Sequence, residues 1–416
     1  MNAAIHPTAS ALDFPLNRVA ELGNELLARL DALRVADPIM WSELNQVWLV
    51  TGHAEVMEGF GGTLPLSNHR LPGTAVALIP QSERETLLPC LMNATRNWLL
   101  NMDGAEHQRL RRLLVRAFSK PIVEGLRPHA RRFIQEALDE AGRKGEIEFV
   151  SQIARRVPAR TILRQLGLGD DLVPRLHRWS VSLNQAGNVN VPREGLLEIE
   201  ATLRALRDVF RPEFAKRRQN PGSDFLSALV TANEAGDHLS EDEMFGTCDI
   251  VLIAGHDTTT NTMSLGTAAL ARHPEAVDYI RRHPEDASNV VLELMRLVSM
   301  STAMSRRVAR DFDWRGHELK EGQYVILFQG GANRDPKVFP NPDAFDTARP
   351  QDLNMTFAPG AHHCIGHLLA KMQLGEFFPE LVRRFDLELL DERLNFGPTL
   401  GFRGLETLNL RLHPRS

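Results

Sequence analysis

The sequence is short of cysteine and of long apolar runs, and each shortage excludes a class of protein. Its 416 residues include three cysteines, at positions 90, 248 and 364. So few cysteines, and an odd number of them, argue against a disulfide framework and favour a reducing compartment, so we expect a cytoplasmic protein. From Met1 to Leu16 there is no basic segment followed by an apolar one, and no stretch long enough to cross a bilayer. We therefore expect neither a signal peptide nor a membrane anchor.

The chain also lacks a strong charge of either sign, an internal repeat and any low-complexity tract. The formal net charge is -5, with 24% charged and 43% hydrophobic residues, which is ordinary for a globular protein. This balance gives no reason to expect nucleic acid or a membrane as a partner. We predict one main domain over residues 37–416, preceded by an N-terminal extension over residues 1–36.

Hydrophobic periodicity predicts a mainly α fold with a minor β part. Long helices are predicted from Glu106 to Ala117 and from Arg193 to Arg218. A capping box at Ser240 to Glu243 begins a further helix that runs to about Arg272, roughly 45–50 Å at 1.5 Å per residue. A helix of that length crosses a whole domain and can form one wall of a central pocket. Strands are predicted in a hairpin of Ile39 to Trp41 with Val47 to Thr51, and at Tyr324 to Phe328 and Leu408 to Leu412.

One short loop has the composition of a metal site. It contains Phe357, Gly360, His362, Cys364 and Gly366, directly before a helix-like stretch. The partial positive charge of a helix N-terminus favours an ionised sulfur, and free N–H groups there can donate to it. Glycines let a flat cofactor approach the backbone. Taken alone, the loop leaves a metal site and a small buried cysteine about equally open, and its histidines lack the ligand spacing of tetrahedral zinc.

The long central helix contains a second unusual segment, in which small and polar residues interrupt an apolar stretch. Ala254 and Gly255 are followed by His256, Asp257 and Thr258. Glycine and threonine are poor helix formers, and a threonine can bond back to a carbonyl one turn earlier. The preceding apolar residues must be buried, which weighs against a surface turn. We expect the small residues to open a groove over a cofactor.

The two segments together resemble the haem-binding loop and the oxygen-activation motif of the cytochrome P-450 family. The resemblance implies haem b (iron protoporphyrin IX) with Cys364 as the axial ligand of the iron. It also implies that Thr258 stabilises iron-bound oxygen and that Asp257 admits protons to a site that is otherwise dry, while His256 is interpreted as structural. Ala358 stands where the family usually has glycine, and we expect it to alter the turn before the cysteine.

The resemblance extends to residues expected around the haem propionates. His107 and Arg111 lie four residues apart, hence on one helix face, and match a propionate clamp, although each alone could be a surface cation. A further clamp is expected at Arg307, with Arg306 beside it leaving the register open. The haem contacts implied by the resemblance are His107, Arg111, Ala254, Gly255, Arg307, Phe357, Gly360, His362, Cys364 and Gly366.

A further pattern is structural. Glu293 and Arg296 lie three residues apart on a predicted helix with apolar neighbours, so a buried pair is favoured over a solvated bridge. The spacing matches the family's Glu-x-x-Arg motif, and the resemblance implies Arg349 as a third member. Together the three side chains are expected to fix the loop that leads to Cys364.

The resemblance, from about Asp37 to the end of the chain, implies the cytochrome P-450 fold and a haem-thiolate monooxygenase. Such an enzyme inserts one atom of O₂ into an apolar small molecule by hydroxylation or epoxidation, and terpenoid, steroid, fatty-acyl or macrolide-like substrates all fit. No second cysteine cluster could hold an iron–sulfur centre, so electrons would come from a separate ferredoxin or flavodoxin with its NAD(P)H-dependent reductase. Arg109, Arg112 and Arg116 could dock this acidic partner or simply form a solvated face.

Two other functions are open at this stage. A peroxygenase or isomerase on the same fold would not need an acid and an alcohol to deliver protons to O₂. A non-catalytic haem sensor would keep Cys364 and have no use for Asp257 and Thr258.

Overall fold

Helices dominate the computed structural model, which describes residues 9–69, 76, 78–187, 191–234 and 236–415. Residues 1–8 of the predicted N-terminal extension lie outside the described residues. The α-helices, numbered in chain order, are α1 Val19–Leu22, α2 Glu25–Ala36, α3 His53–Phe60, α4 Gln81–Leu87, α5 Pro89–Asn97, α6 Gly104–Val115, α7 Lys120–Lys144, α8 Arg156–Leu166, α9 Val173–Asn184, α10 Arg193–Gln219, α11 Phe225–Val230, α12 Glu241–Leu270, α13 Pro274–Arg282, α14 Ala287–Val298, α15 Gln329–Ala332 and α16 His367–Arg384.

The β part is small, as the sequence predicted. The strands are β1 Ile39–Ser42, β2 Val47–Val50, β3 Leu66–Ser67, β4 Glu146–Glu148, β5 Asn233–Glu234, β6 Asp237–His238, β7 Met304–Val308, β8 Phe312–Trp314, β9 His317–Leu319, β10 Tyr324–Leu327, β11 Phe385–Leu389, β12 Asn395–Phe396, β13 Leu405–Thr407 and β14 Asn409–Pro414. Strands β1 and β2 form the predicted antiparallel hairpin. They belong to a five-stranded sheet of order β1-β2-β10-β7-β3, and β11-β14-β4 form a second sheet.

Helix α12 is the predicted central helix. Ser240 Oγ accepts a hydrogen bond from the Glu243 N–H, and the Glu243 carboxylate accepts one from the Ser240 N–H, which confirms the capping box. After the first turn, buried residues occur on every side of the helix, as expected for a helix surrounded by protein. It packs against α5, α8, α14 and α16. The segment from Ala254 to Thr258 lies halfway along α12.

The apolar core lies on both sides of α12. One cluster of buried side chains includes Phe210 and Phe214 of α10 and Phe245 of α12. A second includes Met263 of α12 and Phe377 of α16. Each such side chain contributes about 1.5–3 kcal/mol when it leaves water. The two clusters hold α12 and α16 in fixed positions, and these are the helices that carry Thr258 and follow Cys364.

The described part of the N-terminal segment packs onto the rest of the chain. Leu26, Leu30 and Leu33 of α2 are buried in a cluster with Met40 and Phe328. The division into an extension over residues 1–36 and a domain over residues 37–416 stays a prediction. Among the described residues, no helix combines the length and the apolar character that crossing a bilayer would need.

Candidate active site

The loop from Phe357 to Gly366 is a tight turn closed by backbone hydrogen bonds. The Cys364 N–H donates to the Phe357 carbonyl at 2.9 Å, and the His363 N–H donates to the Gly360 carbonyl at 3.1 Å. Gly360 has a φ of +82°. A Cβ at that position would lie 2.4 Å from the backbone oxygen of Phe60, so only glycine fits. The turn delivers Cys364 to the N-terminal end of α16, which follows Gly366.

Cys364 lies in surroundings that suit a metal-bound sulfur. Burial raises the pKa of its thiol, whereas a hydrogen bond from the Gly366 N–H and the positive charge of Arg111 lower it. A metal ion that takes the place of the proton removes the energetic penalty of ionising this buried sulfur. The N–H donor is of the kind that the sequence pattern predicted, whereas the charge of Arg111 beside the sulfur was not predicted in this role.

Ala358, the departure from the family pattern, has a left-handed backbone. Its φ is +51° and its ψ is +138°. A residue with a Cβ rarely adopts such a conformation, at a cost of about 1–3 kcal/mol. The Ala358 N–H still donates to the Met355 carbonyl at 2.9 Å. The alanine therefore occupies a conformation that glycine would adopt without strain.

Helix α6 brings His107 and Arg111 to the cysteine loop. Arg111 Nη2 donates to the His363 carbonyl at 2.7 Å. The His107 ring packs against the His362 ring, with centroids 4.0 Å apart. His362 Nε2 in turn lies 3.7 Å from Asp103 Oδ1. Sequence reasoning missed Asp103; its position directly before α6 is a possible signal, because acidic residues are favoured there.

His107 and Arg111 fit an anionic group at this place. The Nε2 of His107 is buried and has no hydrogen-bond partner among the described residues. Burial, then the neighbouring His362 and Arg111, lower the pKa of His107 to about 4. The ring is therefore neutral near pH 7, and one of its nitrogens carries a proton that it can donate. An orphaned buried donor beside a guanidinium suits a haem propionate.

Strand β7 places Arg306 and Arg307 on opposite faces of the sheet. Arg306 is buried, with its guanidinium 4.9 Å from the centroid of the Phe60 ring, and the backbone of Phe60 touches the cysteine loop at Gly360. Arg307 is exposed. Alternate residues of a strand point to opposite faces. The geometry therefore favours Arg306 over Arg307, the residue chosen from the sequence, as the cation on the side of the cysteine loop.

In the middle of α12, Ala254 is exposed and its neighbours Ile253 and Gly255 are half-buried, although most of the helix is buried. Thr258 Oγ1 donates to the Ala254 carbonyl one turn earlier, at 2.7 Å. This is the predicted bond back to the helix, and it keeps the hydroxyl beside the opening. The structure gives a different reason for a glycine at position 255 than the groove that the sequence predicted. A Cβ there would lie 2.6 Å from Ile162 Cδ1, so this glycine allows α12 to pack closely on α8.

Asp257 faces α9. Its Oδ2 accepts hydrogen bonds from Ser180 Oγ and Asn184 Nδ2, both at 2.6 Å, and its Oδ1 lies 3.2 Å from Nδ1 of the fully buried His256. Burial lowers the pKa of His256, and Asp257 opposes this shift. Sequence reasoning missed Ser180 and Asn184, because no local pattern links them to a residue more than seventy positions away.

The Glu293 side chain joins two arginines in the interior. Arg296 donates two hydrogen bonds of 2.8 Å to Glu293, and both side chains are fully buried. Arg349 donates a third, at 3.1 Å. Arg296 also donates to the Asn333 carbonyl at 3.1 Å, and the Asn333 side chain accepts from the Met355 N–H at 2.8 Å. The network therefore reaches the residues that open the cysteine loop.

The three arginines considered for partner docking differ in their surroundings. Arg109 is held by Asp237, at 2.6 Å, and by Glu243, so its charge is balanced within the chain. Arg112 and Arg116 are exposed beside a groove of about 190 Å³ between α6 and α11. Arg112 and Arg116 are therefore more accessible from solvent than Arg109, which is half-buried.

Comparisons with known proteins agree with this geometry. The family model "Cytochrome P450" matches residues 82–283 and 287–400. The biotin biosynthesis cytochrome P450 of Bacillus subtilis is 30% identical over 381 residues, which cover 91% of this chain and 94% of the relative. The 6-deoxyerythronolide B hydroxylase of Saccharopolyspora erythraea is 30% identical over 379 residues, which cover 88% and 91%.

A solved structure has the same fold over nearly the whole chain. The crystal structure of P450BioI in complex with hexadec-9Z-enoic acid ligated acyl carrier protein aligns with a TM-score of 0.85 and 28% identity, covering 95% of this chain and 99% of that one. The mainly α architecture, the cysteine loop before α16 and the acid–alcohol pair in α12 occur here in a chain that the family model matches over most of its length. The chain belongs to the cytochrome P450 family, and its activity is that of a haem-dependent monooxygenase.

Proposed function

We propose that the protein holds haem b through Cys364 and inserts one atom of O₂ into an apolar organic molecule. The observation that carries the proposal is the half-buried Cys364, whose buried thiol accepts a hydrogen bond from the Gly366 N–H and lies near the charge of Arg111. Both neighbours stabilise the ionised sulfur that a haem iron requires. When bound, the haem supplies the iron at which O₂ is activated.

The residues of this chain would hold the haem through its two propionates and by contact with its ring. His107, Arg111 and Arg306 supply donors for the two propionates, on the side of the molecule where α6 and β7 approach the cysteine loop. The exposed Ala254 would leave room beside α12 for a flat ring. Phe357 lies in the turn that positions Cys364, with its carbonyl accepting the Cys364 N–H.

Asp257 and Thr258 would deliver protons from solvent to the opening beside α12. The Thr258 hydroxyl donates to Ala254, so its lone pairs remain free to accept a hydrogen bond from a water molecule in the opening. Asp257 is turned toward α9 and held there by the neutral donors Ser180 and Asn184. To pass a proton to the Thr258 side, the carboxylate has to exchange these partners for water. Proton entry is then coupled to the contact between α9 and α12.

The substrate class is proposed from the relatives and from the chain. One relative is named as a hydroxylase of 6-deoxyerythronolide B, and the similar P450BioI structure contains a fatty-acyl carrier protein. Terpenoid and steroid substrates are equally compatible with the apolar segments of this sequence. We propose an apolar substrate of this kind, free or bound to a carrier. Electrons would come from a ferredoxin or flavodoxin and its NAD(P)H-dependent reductase, docked at Arg112 and Arg116, in the cytoplasm.

The test begins by finding a ligand. The purified ferric protein is titrated with a panel of apolar compounds, and a change of the haem from low to high spin identifies those that displace water from the iron. Product and hydrogen peroxide are then measured per NAD(P)H consumed, with a surrogate ferredoxin and reductase. The variants are Thr258→Ala and Asp257→Asn, with Thr262→Ala as control, because Thr262 makes the same bond back to a carbonyl one turn earlier, at 2.8 Å.

We expect Thr258→Ala to keep the ligand-induced spin change and to divert electrons from product to peroxide. Asp257→Asn should lower turnover, and Thr262→Ala should behave like the wild type. Unchanged coupling in Thr258→Ala would refute the role assigned to that hydroxyl. Equal turnover of wild type and both variants with peroxide alone would indicate a peroxygenase, and a protein that binds O₂ without yielding product would indicate a sensor.

A further inference from the structure

A second cleft, away from the cysteine loop, has an excess of positive charge. It has a volume of about 250 Å³ and lies where the end of α12 meets α14 and β12. Its lining includes three arginines, Arg272, Arg334 and Arg403, and one carboxylate, Asp343. The arginines outnumber the carboxylate by two. Apolar side chains such as Phe396 form the rest of the wall.

Arg403 is the unusual member of this group. It is only 7% exposed. Its Nη2 donates to the Gly23 carbonyl at 2.9 Å. Long contacts of 3.4 Å join Nη2 to Asn24 Oδ1 and Nη1 to the Val298 carbonyl, and the guanidinium lies 4.2 Å from the centroid of the Phe396 ring. Its Nε is buried without a hydrogen-bond partner, and no carboxylate among the described residues pairs with it.

A buried cation without a counter-charge is costly, because its solvation is lost and nothing charged replaces it. Burial, and then the charge of Arg334, lower the pKa of Arg403 to about 10. The guanidinium nevertheless stays protonated at neutral pH. An anion in the cleft would supply the missing charge.

The ion pairs of the other two arginines show which side chains carry the excess positive charge of the cleft. Arg334 is balanced, since it lies 2.9 Å from Asp31 and 2.8 Å from Asp343. Arg272 is exposed at the rim, and its side chain forms no ion pair with any residue that the structure describes. The uncompensated charge in the cleft therefore belongs to Arg403 at the inner wall and Arg272 at the rim.

We propose that this cleft binds a small oxyanion, such as a phosphate or carboxylate group, through Arg403 and Arg272. Guanidinium groups bind such oxyanions with paired, charge-assisted hydrogen bonds. The volume exceeds the roughly 30 Å³ that one water occupies in the liquid. It therefore has room for inorganic phosphate or for a carboxylate on a short apolar chain, whose carbon atoms would lie against Phe396.

An anion bound in the cleft would also affect two backbone segments outside it. The Arg403 N–H donates to the Met300 carbonyl at 2.8 Å, and the Thr302 N–H donates to the Gly401 carbonyl at 2.9 Å. These bonds join residues 300–302, which follow α14, to residues 401–403, which precede β13. An anion that fixes the Arg403 side chain would stabilise this junction.

The experiment measures the thermal unfolding midpoint of the haem-loaded protein against inorganic phosphate, at constant ionic strength set with chloride. We expect a saturable rise of about 2 °C at a phosphate concentration of about thirty times Kd. A parallel titration with butyrate distinguishes a free phosphate from a carboxylate on an apolar chain. A rise of the midpoint similar to that with phosphate means that the oxyanion alone suffices for binding. A larger rise means that the apolar wall of the cleft contributes.

Three variants locate the site. Arg403→Met should abolish the saturable rise, and Arg272→Gln, at the exposed rim, should weaken phosphate affinity about fivefold while leaving the fold intact. Arg282→Gln is the matched control, because this exposed arginine lies on α13 outside the cleft. If Arg403→Met does not fold, the proposal is tested by comparing the phosphate affinity of Arg272→Gln with that of Arg282→Gln. No saturable rise in the wild type, or an equal rise in wild type and Arg272→Gln, overturns the proposal.

Discussion

Replacing Glu293 by glutamine should cost far more than the same change at a comparable surface position. Glu293 is the carboxylate that both Arg296 and Arg349 bind, and all three side chains are at most 6% exposed. The variant keeps the shape of the side chain and removes its charge. Two buried guanidinium groups then lose the carboxylate that both of them bind.

Breaking a buried ion pair from one side costs about 3–5 kcal/mol. That is a large share of the roughly 5–15 kcal/mol by which a folded protein is stable. Because the entropy of unfolding grows with chain length, the loss corresponds to a thermal midpoint about 3–6 °C lower. The Asn333 contact, which reaches Met355 ahead of the cysteine loop, should be loosened as well.

The chain offers a matched control in Glu376. This carboxylate also binds two arginines, Arg127 and Arg131, but their side chains are 30% and 58% exposed. Exposed pairs contribute about 0–1 kcal/mol. The assay compares the unfolding midpoint and the haem content of Glu293→Gln, Glu376→Gln and wild type, purified in parallel. Equal losses in the two variants would refute the reasoning that burial, and not the number of partners, determines the cost.

Three further predictions concern buried or strained residues. Burial raises the pKa of Asp249 from an ordinary 3.8 to about 7, so stability should be full below about pH 4, fall as the pH rises toward 7, and stay low above it. Asp249→Asn should remove this pH-dependent loss, and at pH 8 the variant should be more stable than the wild type by up to about 4 kcal/mol. The measurement is urea unfolding at pH 5 and pH 8. Equal stability of the wild type at the two pH values would contradict the prediction. Ala358→Gly should raise the unfolding free energy by roughly 1–2 kcal/mol through relief of the positive φ, whereas a loss of stability in thermal unfolding would show that the backbone is not strained. Arg306→Gln should lower haem retention against an apomyoglobin acceptor while Arg307→Gln does not, and the reverse order would restore the assignment made from the sequence.

Local patterns in the sequence were enough for several elements. The capping box at Ser240 places the start of α12, because the side chains that form it are three residues apart. The hairpin of β1 and β2 and the burial of Glu293 with Arg296 also follow from neighbours in the chain. In each case, the interacting groups lie within one or two turns or across one short loop.

Contacts between distant segments could not be read in this way. Ser180 and Asn184 reach Asp257 from another helix, and nothing in their own surroundings marks them. Arg306 and Arg307 are equivalent until the strand's orientation in the sheet is known. Gly255 fits a groove and a close helix contact equally well in sequence, and only the position of Ile162 decides.

The measurement that tests the central claim most directly is the absorption spectrum of the reduced, carbon monoxide-bound protein, in the wild type and in Cys364→Ser. Cys90→Ser, at a cysteine of similar exposure outside the loop, serves as control. The account predicts the spectrum of a thiolate-bound haem in the wild type and in Cys90→Ser, and its loss in Cys364→Ser. A thiolate spectrum that survives in Cys364→Ser would contradict it.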